Sequence, residues 1–205
     1  MTGGGGAEVV VGHSFGGKQA LAFLMDVTAH KQFPPPSHVF LLDTVPCEVA
    51  RPGAGEESEG DSVKSVIDAV SSVGFIAGKK ELVATLTAKG VDPGIAMWMT
   101  TNCKPSPTGV GLVFAFDVPT IRSLYAAYTS SDYAPFLSSL RGPTTVHLVK
   151  ATRNPAWKKV ERRMEEVEGC EWVKVHEVDA GHWLHTEAQK EVVDIILPAL
   201  RGPRA

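Results

Sequence analysis

The sequence predicts an α/β fold with about four parallel strands, flanking helices and an inserted helical segment. Short apolar runs typical of buried strands stand at residues 7–11 and 39–42, and the stretch between them has helical periodicity. Two further strand-like runs, at residues 144–151 and 171–178, are each followed by a helical pattern. Strands that alternate with helices favour a parallel sheet, because parallel neighbours need long crossover connections.

The helices between these strands are predicted from the spacing of apolar residues. One helix is expected at residues 18–31, and the prolines at 34–36 end it. Amphipathic helices are expected at residues 156–168 and 187–200, after the third and fourth strands.

The sequence predicts a core domain that is interrupted by one inserted segment. Residues 1–47 and 142–205 are expected to form the core. Residues 48–61, rich in Gly, Glu and Ser, are expected to be a flexible linker or insertion. Residues 62–141 carry helical patterns without strand alternation and are predicted to be a helical lid.

The composition limits the classes of partner and compartment. With 43% apolar and 21% charged residues in 205, and a net charge of -3, the chain has the content of an ordinary globular domain and lacks the basic stripe of a nucleic-acid binder. Its apolar runs fall short of the roughly 20 residues that a membrane span needs. Cys47, Cys103 and Cys170 are odd in number and widely spaced, so we expect no disulfide framework. We expect a soluble intracellular protein, in the cytoplasm, a mitochondrion or a plastid.

The glycine-rich turn within residues 8–24, EVVVGHSFGGKQALAFL, allows two interpretations. Gly12, Gly17 and Lys18 nearly complete the phosphate-binding pattern G-x-x-x-x-G-K-[ST], whose final hydroxyl holds magnesium. Gln19 stands at that final position, so a degenerate nucleotide-binding loop is the weaker interpretation. Lys18 is then predicted to be an exposed residue early in the helix.

The second interpretation is a nucleophile elbow. Gly12, Ser14 and Gly16 match G-x-S-x-G, in which a strand turns sharply into a helix and small residues on either side of the serine avoid clashes. The amino terminus of the helix favours negative charge that develops beside Ser14. The backbone N–H of Phe15 is predicted to be one donor to an oxyanion.

A catalytic serine needs partners from elsewhere in the chain, in the order serine, acid, histidine. His182 follows the last strand and is the predicted base. Asp43 ends the strand after the elbow helix and is the predicted acid, with Asp117 as the competing assignment. Asp179 is too close to His182 in the chain to be a suitable orienting partner.

Four segments of the sequence resemble the α/β-hydrolase fold, and within it the α/β-hydrolase domain-containing protein 11 group and the YbfF-type esterases. These segments are GHSFGGKQALAF at residues 12–23, FLLDTVP at 40–46, WMTTN at 98–102 and AGHW at 180–183. The resemblance implies a serine hydrolase that cleaves small acyl esters or thioesters without a metal or organic cofactor.

The resemblance also carries residue roles. It implies Ser14 as nucleophile, His182 as base and Asp43 as acid. In the α/β-hydrolase domain-containing protein 11 group, which is mitochondrial, an acid has also been assigned within the lid, and Asp117 matches that position in this sequence. Asp43 and Asp117 therefore both stay open as the acid.

The resemblance finally implies that this chain is a partial hydrolase fold. In the family the elbow strand is the fifth of eight, so we expect the first four strands, on the order of 100 residues at about 30 per βα unit, to be missing. Such truncation is expected to impair catalysis and to leave the elbow strand as an exposed sheet edge that allows self-association. A non-catalytic module that binds protein partners is therefore the alternative function.

Overall fold

The computed structural model describes residues 7–31, 33–48 and 62–201. The chain divides into two compact units, which we call the sheet unit (residues 1–49 and 130–205) and the helical unit (residues 50–129). Residues 130–141, which the sequence analysis assigned to the helical lid, lie in the sheet unit. Of the linker expected at 48–61, residues 49–61 lie outside the described residues.

The sheet unit contains the parallel sheet that the sequence predicts. In chain order the strands of the protein are β1 Val9–His13, β2 His38–Leu42, β3 Cys103–Pro105, β4 Leu112–Phe114, β5 Thr145–Ala151 and β6 Val173–Val178. The large sheet has the order β1-β2-β5-β6, and each neighbouring pair is parallel. The predicted fold class, a four-stranded parallel sheet with flanking helices, is confirmed.

Helices separate these strands. They are α1 Phe15–His30, α2 Ser62–Ser71, α3 Lys79–Ala88, α4 Pro93–Met99, α5 Val118–Ser130, α6 Ala134–Ser138, α7 Ala156–Glu168, α8 Leu184–Glu187 and α9 Gln189–Leu200, with a 3-10 helix at Thr100–Asn102. Within the described ranges, none of these helices is long and apolar enough to cross a membrane.

Two apolar clusters cover the two faces of the sheet. With α1 and α7, the first face buries Leu21, Leu24, Val39, Leu41, Val146, Leu148, Val160 and Met164. With α9, the second face buries Phe40, Leu42, Val149, Ala151, Val178 and Val192. Successive residues of β2 alternate between the clusters, as the pleat of a strand requires. Each fully buried Leu or Phe contributes about 1.5–3 kcal/mol, so this two-sided burial holds the strand ends in place.

The helical unit has a cluster of its own and a small antiparallel sheet. Strands β3 and β4 pair in it, an arrangement that the sequence analysis did not predict for residues 62–141. Strands of three residues are too short for an alternating pattern to be recognised. Gly109 and Gly111, with φ of 78° and 75°, form the turn between them, a conformation that glycine adopts readily.

The predicted element boundaries shift by a few residues around the glycine turn. Strand β1 continues to His13, because Gly12 and His13 pair with the last two residues of β2. Helix α1 begins at Phe15 instead of Lys18, so Gly16 and Gly17 belong to the helix. The last predicted helix, at residues 187–200, corresponds to α9, which begins at Gln189, and the short helix α8 precedes it.

Two glycines let α1 pack closely on its surroundings. A Cβ on Gly12 would overlap the carbonyl group of Gly16, and a Cβ on Gly17 would overlap the side chain of Thr44. A Cβ on Gly16 would meet no atom within 4 Å in the described part of the chain. The second position that excludes a side chain is therefore Gly17, where the sequence analysis had expected Gly16.

We expect Gly17→Ala to lower the free energy of unfolding, because the added methyl group would overlap Thr44. Overpacking of this kind costs about 1–3 kcal/mol. Urea denaturation followed by circular dichroism measures the change. Gly16→Ala is the matched control, and we expect it to be neutral or stabilising, since Ala favours a helix over Gly by about 1 kcal/mol. Equal stabilities of the two variants would contradict the packing described for Gly17.

Candidate active site

The candidate site lies where the strands of the large sheet end. Ser14 follows β1, Asp43 follows β2, and His182 comes four residues after the end of β6. Because these strands are parallel, their carboxyl ends lie at one edge of the sheet. His182, which is 139 positions from Asp43 and 168 from Ser14 in the chain, is thereby brought close to both.

A row of hydrogen bonds joins the three side chains. His182 Nε2 lies 3.0 Å from Ser14 Oγ, and His182 Nδ1 lies 2.6 Å from Asp43 Oδ2. An ionised carboxylate only accepts hydrogen bonds, so the Nδ1 proton of His182 is donated to Asp43. The neutral ring then has Nε2 as the acceptor for the hydroxyl proton of Ser14.

Ser14 has the unusual backbone of a sharp turn. Its φ of 52° and ψ of -116° lie outside the common regions for a residue with a side chain. Its N–H donates to the carbonyl oxygen of Leu42 at 3.0 Å, which ties the turn to the end of β2. Phe15, the next residue, is the first of α1, so its N–H lies at the positive end of the helix dipole.

The carboxylate of Asp43 is completely buried and surrounded by donors. Besides His182, its partners are Trp157 Nε1 at 2.6 Å, Asn154 Nδ2 at 2.6 Å and the backbone N–H of Ala151 at 3.1 Å. Its side chain has 0% exposure, whereas that of His182 is 40% exposed. The acid is therefore fixed by four donors while the imidazole reaches solvent.

These donors decide the charge of Asp43. Burial alone would raise the pKa of its carboxyl group. The hydrogen bonds from His182, Trp157, Asn154 and Ala151 outweigh burial and hold the pKa below its ordinary value. Asp43 is thus an anion at neutral pH, as a group that orients and stabilises an imidazolium must be.

His13 fixes the backbone of His182. His13 Nε2 donates to the carbonyl oxygen of His182 at 2.8 Å, and the two rings lie 4.7 Å apart between their centroids. Burial lowers the pKa of His13, although its hydrogen bond to His182 opposes the effect. A neutral His13 with its proton on Nε2 satisfies this contact.

Charged side chains brace the loop that leads to His182. Arg153 contacts Asp179 Oδ1 at 2.8 Å and Glu187 Oε2 at 2.6 Å, and the same glutamate oxygen accepts the N–H of Gly181 at 2.9 Å. Asp179, which the sequence analysis set aside as an acid, therefore pairs with Arg153. These ion pairs are exposed, so each contributes little stability and acts mainly by limiting the loop geometry.

Asp117, the competing acid, has a local role in the helical unit. Its Oδ2 accepts the backbone N–H of Thr120 at 2.9 Å and the Thr120 hydroxyl at 2.7 Å. This geometry is that of a carboxylate capping the start of α5. The hydrogen-bond donor of His182 is directed to Asp43.

Sequence reasoning missed the donors that surround Asp43. The segment KATRNPAW, at residues 150–157, has no carboxylate, but it supplies Asn154 and Trp157 as donors to an acid on another strand. The signal that could have predicted these donors is an acid after β2 together with an amide and an indole side chain after β5.

Lys18 is not the exposed residue that the sequence analysis predicted. It is 1% exposed, and its Nζ donates to the carbonyl oxygens of Cys47 at 2.9 Å and Ser131 at 2.8 Å. A phosphate-loop lysine instead directs its ammonium to the bound phosphates. No group of three or more His, Cys, Asp or Glu side chains in the described ranges is arranged to hold a metal ion.

Known structures share this fold at low sequence identity. A marine microorganism esterase aligns with a TM-score of 0.69 and 18% identity, over 93% of this chain and 69% of its own. The thioesterase domain from the curacin biosynthetic pathway aligns with a TM-score of 0.56 and 16% identity, over 94% and 67% respectively. E-2-(acetamidomethylene)succinate hydrolase aligns with a TM-score of 0.59 and 13% identity, over 96% and 68%. Identities this low show the fold alone, and the chain spans about two thirds of each structure's length.

A comparison with curated proteins found no match. The narrower resemblance to the α/β-hydrolase domain-containing protein 11 group and the YbfF-type esterases therefore stays a prediction. The model of the alpha/beta hydrolase family matches residues 2–195 of the sequence. Because that match covers almost the whole chain, and the sheet and elbow have the expected form, this chain belongs to the alpha/beta hydrolase family.

Proposed function

We propose that this chain carries the hydrolytic centre of a serine esterase or thioesterase. Ser14 is the nucleophile, His182 the general base, Asp43 the acid that orients the base, and the Phe15 N–H one oxyanion donor. The observation that supports the proposal is the continuous row of hydrogen bonds from Ser14 Oγ through His182 to Asp43, at 3.0 Å and 2.6 Å. Both distances lie within hydrogen-bond reach, which a nucleophile and its base require.

Acylation follows from this geometry. Ser14 Oγ attacks the carbonyl carbon of the ester or thioester while His182 Nε2 takes the hydroxyl proton. The carbonyl π bond breaks to give a tetrahedral oxyanion, which the Phe15 N–H at the start of α1 stabilises. The carbonyl bond re-forms, the bond to the alcohol or thiol leaving group breaks, and His182 returns the proton to that group. The product is an acyl group on Ser14.

Deacylation uses the same residues in the same order. Water attacks the acyl carbon as His182 Nε2 removes one of its protons, and collapse of the second tetrahedral oxyanion returns that proton to Ser14 Oγ. The carboxylic acid leaves and the centre is restored. Asp43 stabilises the imidazolium in both halves of the reaction, and its buried anionic carboxylate suits this role.

We propose that the helical unit serves as the lid that the sequence analysis predicts. The unit is inserted after β2, and α4 presents Met97 and Trp98, which are 63% and 61% exposed. Exposed apolar side chains of this kind suit contact with an acyl chain. The substrate class is a small acyl ester or thioester, in keeping with the sequence resemblance.

A second function, binding through the edge of the sheet, is favoured by the environment of β1. This strand pairs with β2 on one side, and Val11 is 47% exposed although the strand VVVGH is mostly apolar. An apolar edge of this kind favours pairing with another chain. We therefore propose self-association through β1.

We expect Ser14→Ala to abolish covalent labelling by a fluorophosphonate probe, because the probe reacts with an activated serine hydroxyl. Mass spectrometry of the labelled protein locates the adduct. Ser123→Ala is the matched control, since its hydroxyl donates to a carbonyl within its own helix and should leave labelling unchanged. A folded, monodisperse wild-type sample that takes up no probe would exclude the hydrolase and favour the binding function.

We expect Trp157→Phe to slow labelling of Ser14 by about 10-fold, because a misplaced catalytic group loses one to two orders of magnitude in rate. Phe retains most of the buried aromatic surface and removes the N–H that Asp43 accepts. Trp172→Phe is the control, since Trp172 precedes β6 at the opposite end of the strand from His182. Labelling rates measured on folded samples that do not differ between the variants would contradict the role given to the indole.

We expect Val11→Lys to weaken self-association, because a charge on an edge strand opposes strand pairing. Sedimentation velocity over a range of protein concentrations measures the change. Val63→Lys, at a 55% exposed position of α2, is the control for added surface charge. A wild-type chain that stays monomeric at every concentration would exclude the second function.

A further inference from the structure

Lys18 is a buried cation that the mechanism above does not use. It lies in the first turns of α1, four positions after Ser14, and is 1% exposed. A charge removed from water is destabilising unless its protons are donated to suitable acceptors. The groups that accept its hydrogen bonds therefore indicate the structural role of the buried ammonium group.

Two of its acceptors in the described ranges belong to separate segments of the chain. The carbonyl oxygen of Cys47, at 2.9 Å from Nζ, lies in the loop that begins with Asp43. The carbonyl oxygen of Ser131, at 2.8 Å, lies just after residue 129, where the chain returns to the sheet unit. One ammonium group thus joins the nucleophile helix, the acid loop and the returning segment.

Further contacts join the same parts of the chain. Thr44 Oγ1 donates to the carbonyl oxygen of Ser14 at 3.1 Å, and the close approach of Gly17 places α1 against the same threonine. The N–H of Tyr133 donates to the carbonyl oxygen of Pro46 at 2.9 Å. Lys18 adds a contact from α1 to Cys47, the residue that follows Pro46.

We propose that Lys18 is a positioning residue for the hydrolytic centre, whose ammonium keeps the helix after Ser14 and the loop after Asp43 at a fixed separation. The role rests on the proposed function, because it concerns the geometry of that reaction. Lys18 acts through the segments it holds and does not contact the reacting atoms.

The titration of Lys18 provides a readout for this role. Burial lowers its pKa from 10.5 to about 8, and the nearby acidic groups Cys47, Asp132 and Glu48 oppose the effect. Asp132 is itself paired with Arg163 of α7, and burial raises the pKa of the Cys47 thiol. Above about pH 8 the ammonium loses its charge, and its attraction for the carbonyl oxygens weakens.

Deprotonation of Lys18 does not by itself lower the free energy of unfolding. Its pKa is lower in the folded chain than the ordinary value of 10.5, so the unfolded chain binds more protons between about pH 8 and 10.5. This group's contribution to the free energy of unfolding therefore rises with pH in that interval. A loss of activity in the same interval, with an unchanged circular dichroism spectrum, reports a change in position and not a loss of the fold.

The test compares the wild type with Lys18→Met, Lys18→Arg and the control Lys158→Met, which removes an exposed lysine of α7. The rate constant for fluorophosphonate labelling of Ser14 is measured from pH 6.5 to 9.5, with circular dichroism at each pH. We expect the wild-type rate to fall above about pH 8, as the ammonium titrates, and the control to follow it. We expect Lys18→Met to label about 10-fold more slowly, and its rate not to fall above about pH 8. We expect Lys18→Arg to recover part of the labelling rate, and this rate to be independent of pH over the same range, because arginine keeps its charge.

Each outcome decides the proposal. A folded Lys18→Met variant with the rate and pH profile of the wild type overturns it. Should Lys18→Met not fold, the wild type and Lys18→Arg remain, and a wild-type rate that stays level to pH 9.5 overturns it equally. Absence of labelling in the wild type at every pH refutes the proposed function itself, whereas the other results concern Lys18 alone.

Discussion

The buried carboxylate of Asp43 is the interaction on which the rest of the candidate site depends. It lies at the end of β2 and accepts donors from the end of β5, from α7 and from the loop after β6. A carboxylate with 0% side-chain exposure must be satisfied by its surroundings, so each of these elements has to be in place for Asp43 to remain charged. The same contacts that stabilise the anion therefore also fix the direction of the His182 ring.

The parallel register makes this convergence possible. Pairing of β1 with β2 places His13 opposite Leu42, so that Ser14 and Asp43 leave their strands at the same level. The elbow adds a backbone contact between these two strand ends and a close approach of α1 to the acid loop. The helical unit, with its own buried cluster, is built around a separate set of apolar side chains.

Much of this arrangement could be predicted from the sequence, and the rest could not for physical reasons. Ser14 and Asp43 stand directly after β1 and β2, and His182 follows β6 by four residues, so the order of the strands brings these three residues to one edge. The hydrogen-bonding role of Trp157 could not be predicted, because a tryptophan in an apolar pattern indicates a core residue and its acceptor lies 114 positions away. Lys18 was misjudged for a similar reason, since the burial of a lysine depends on carbonyl oxygens supplied by distant loops. Contacts of this kind leave no periodicity in the chain.

The backbone of Ser14 has a consequence for how this chain can change. A residue with a side chain held at φ 52° and ψ -116° is strained by roughly 1–3 kcal/mol, and the surrounding structure has to maintain that conformation. Glycine would release the strain while it removes the hydroxyl, so stability and chemistry oppose each other at this one position. A single replacement by glycine here is therefore expected to keep the fold and to make it more robust.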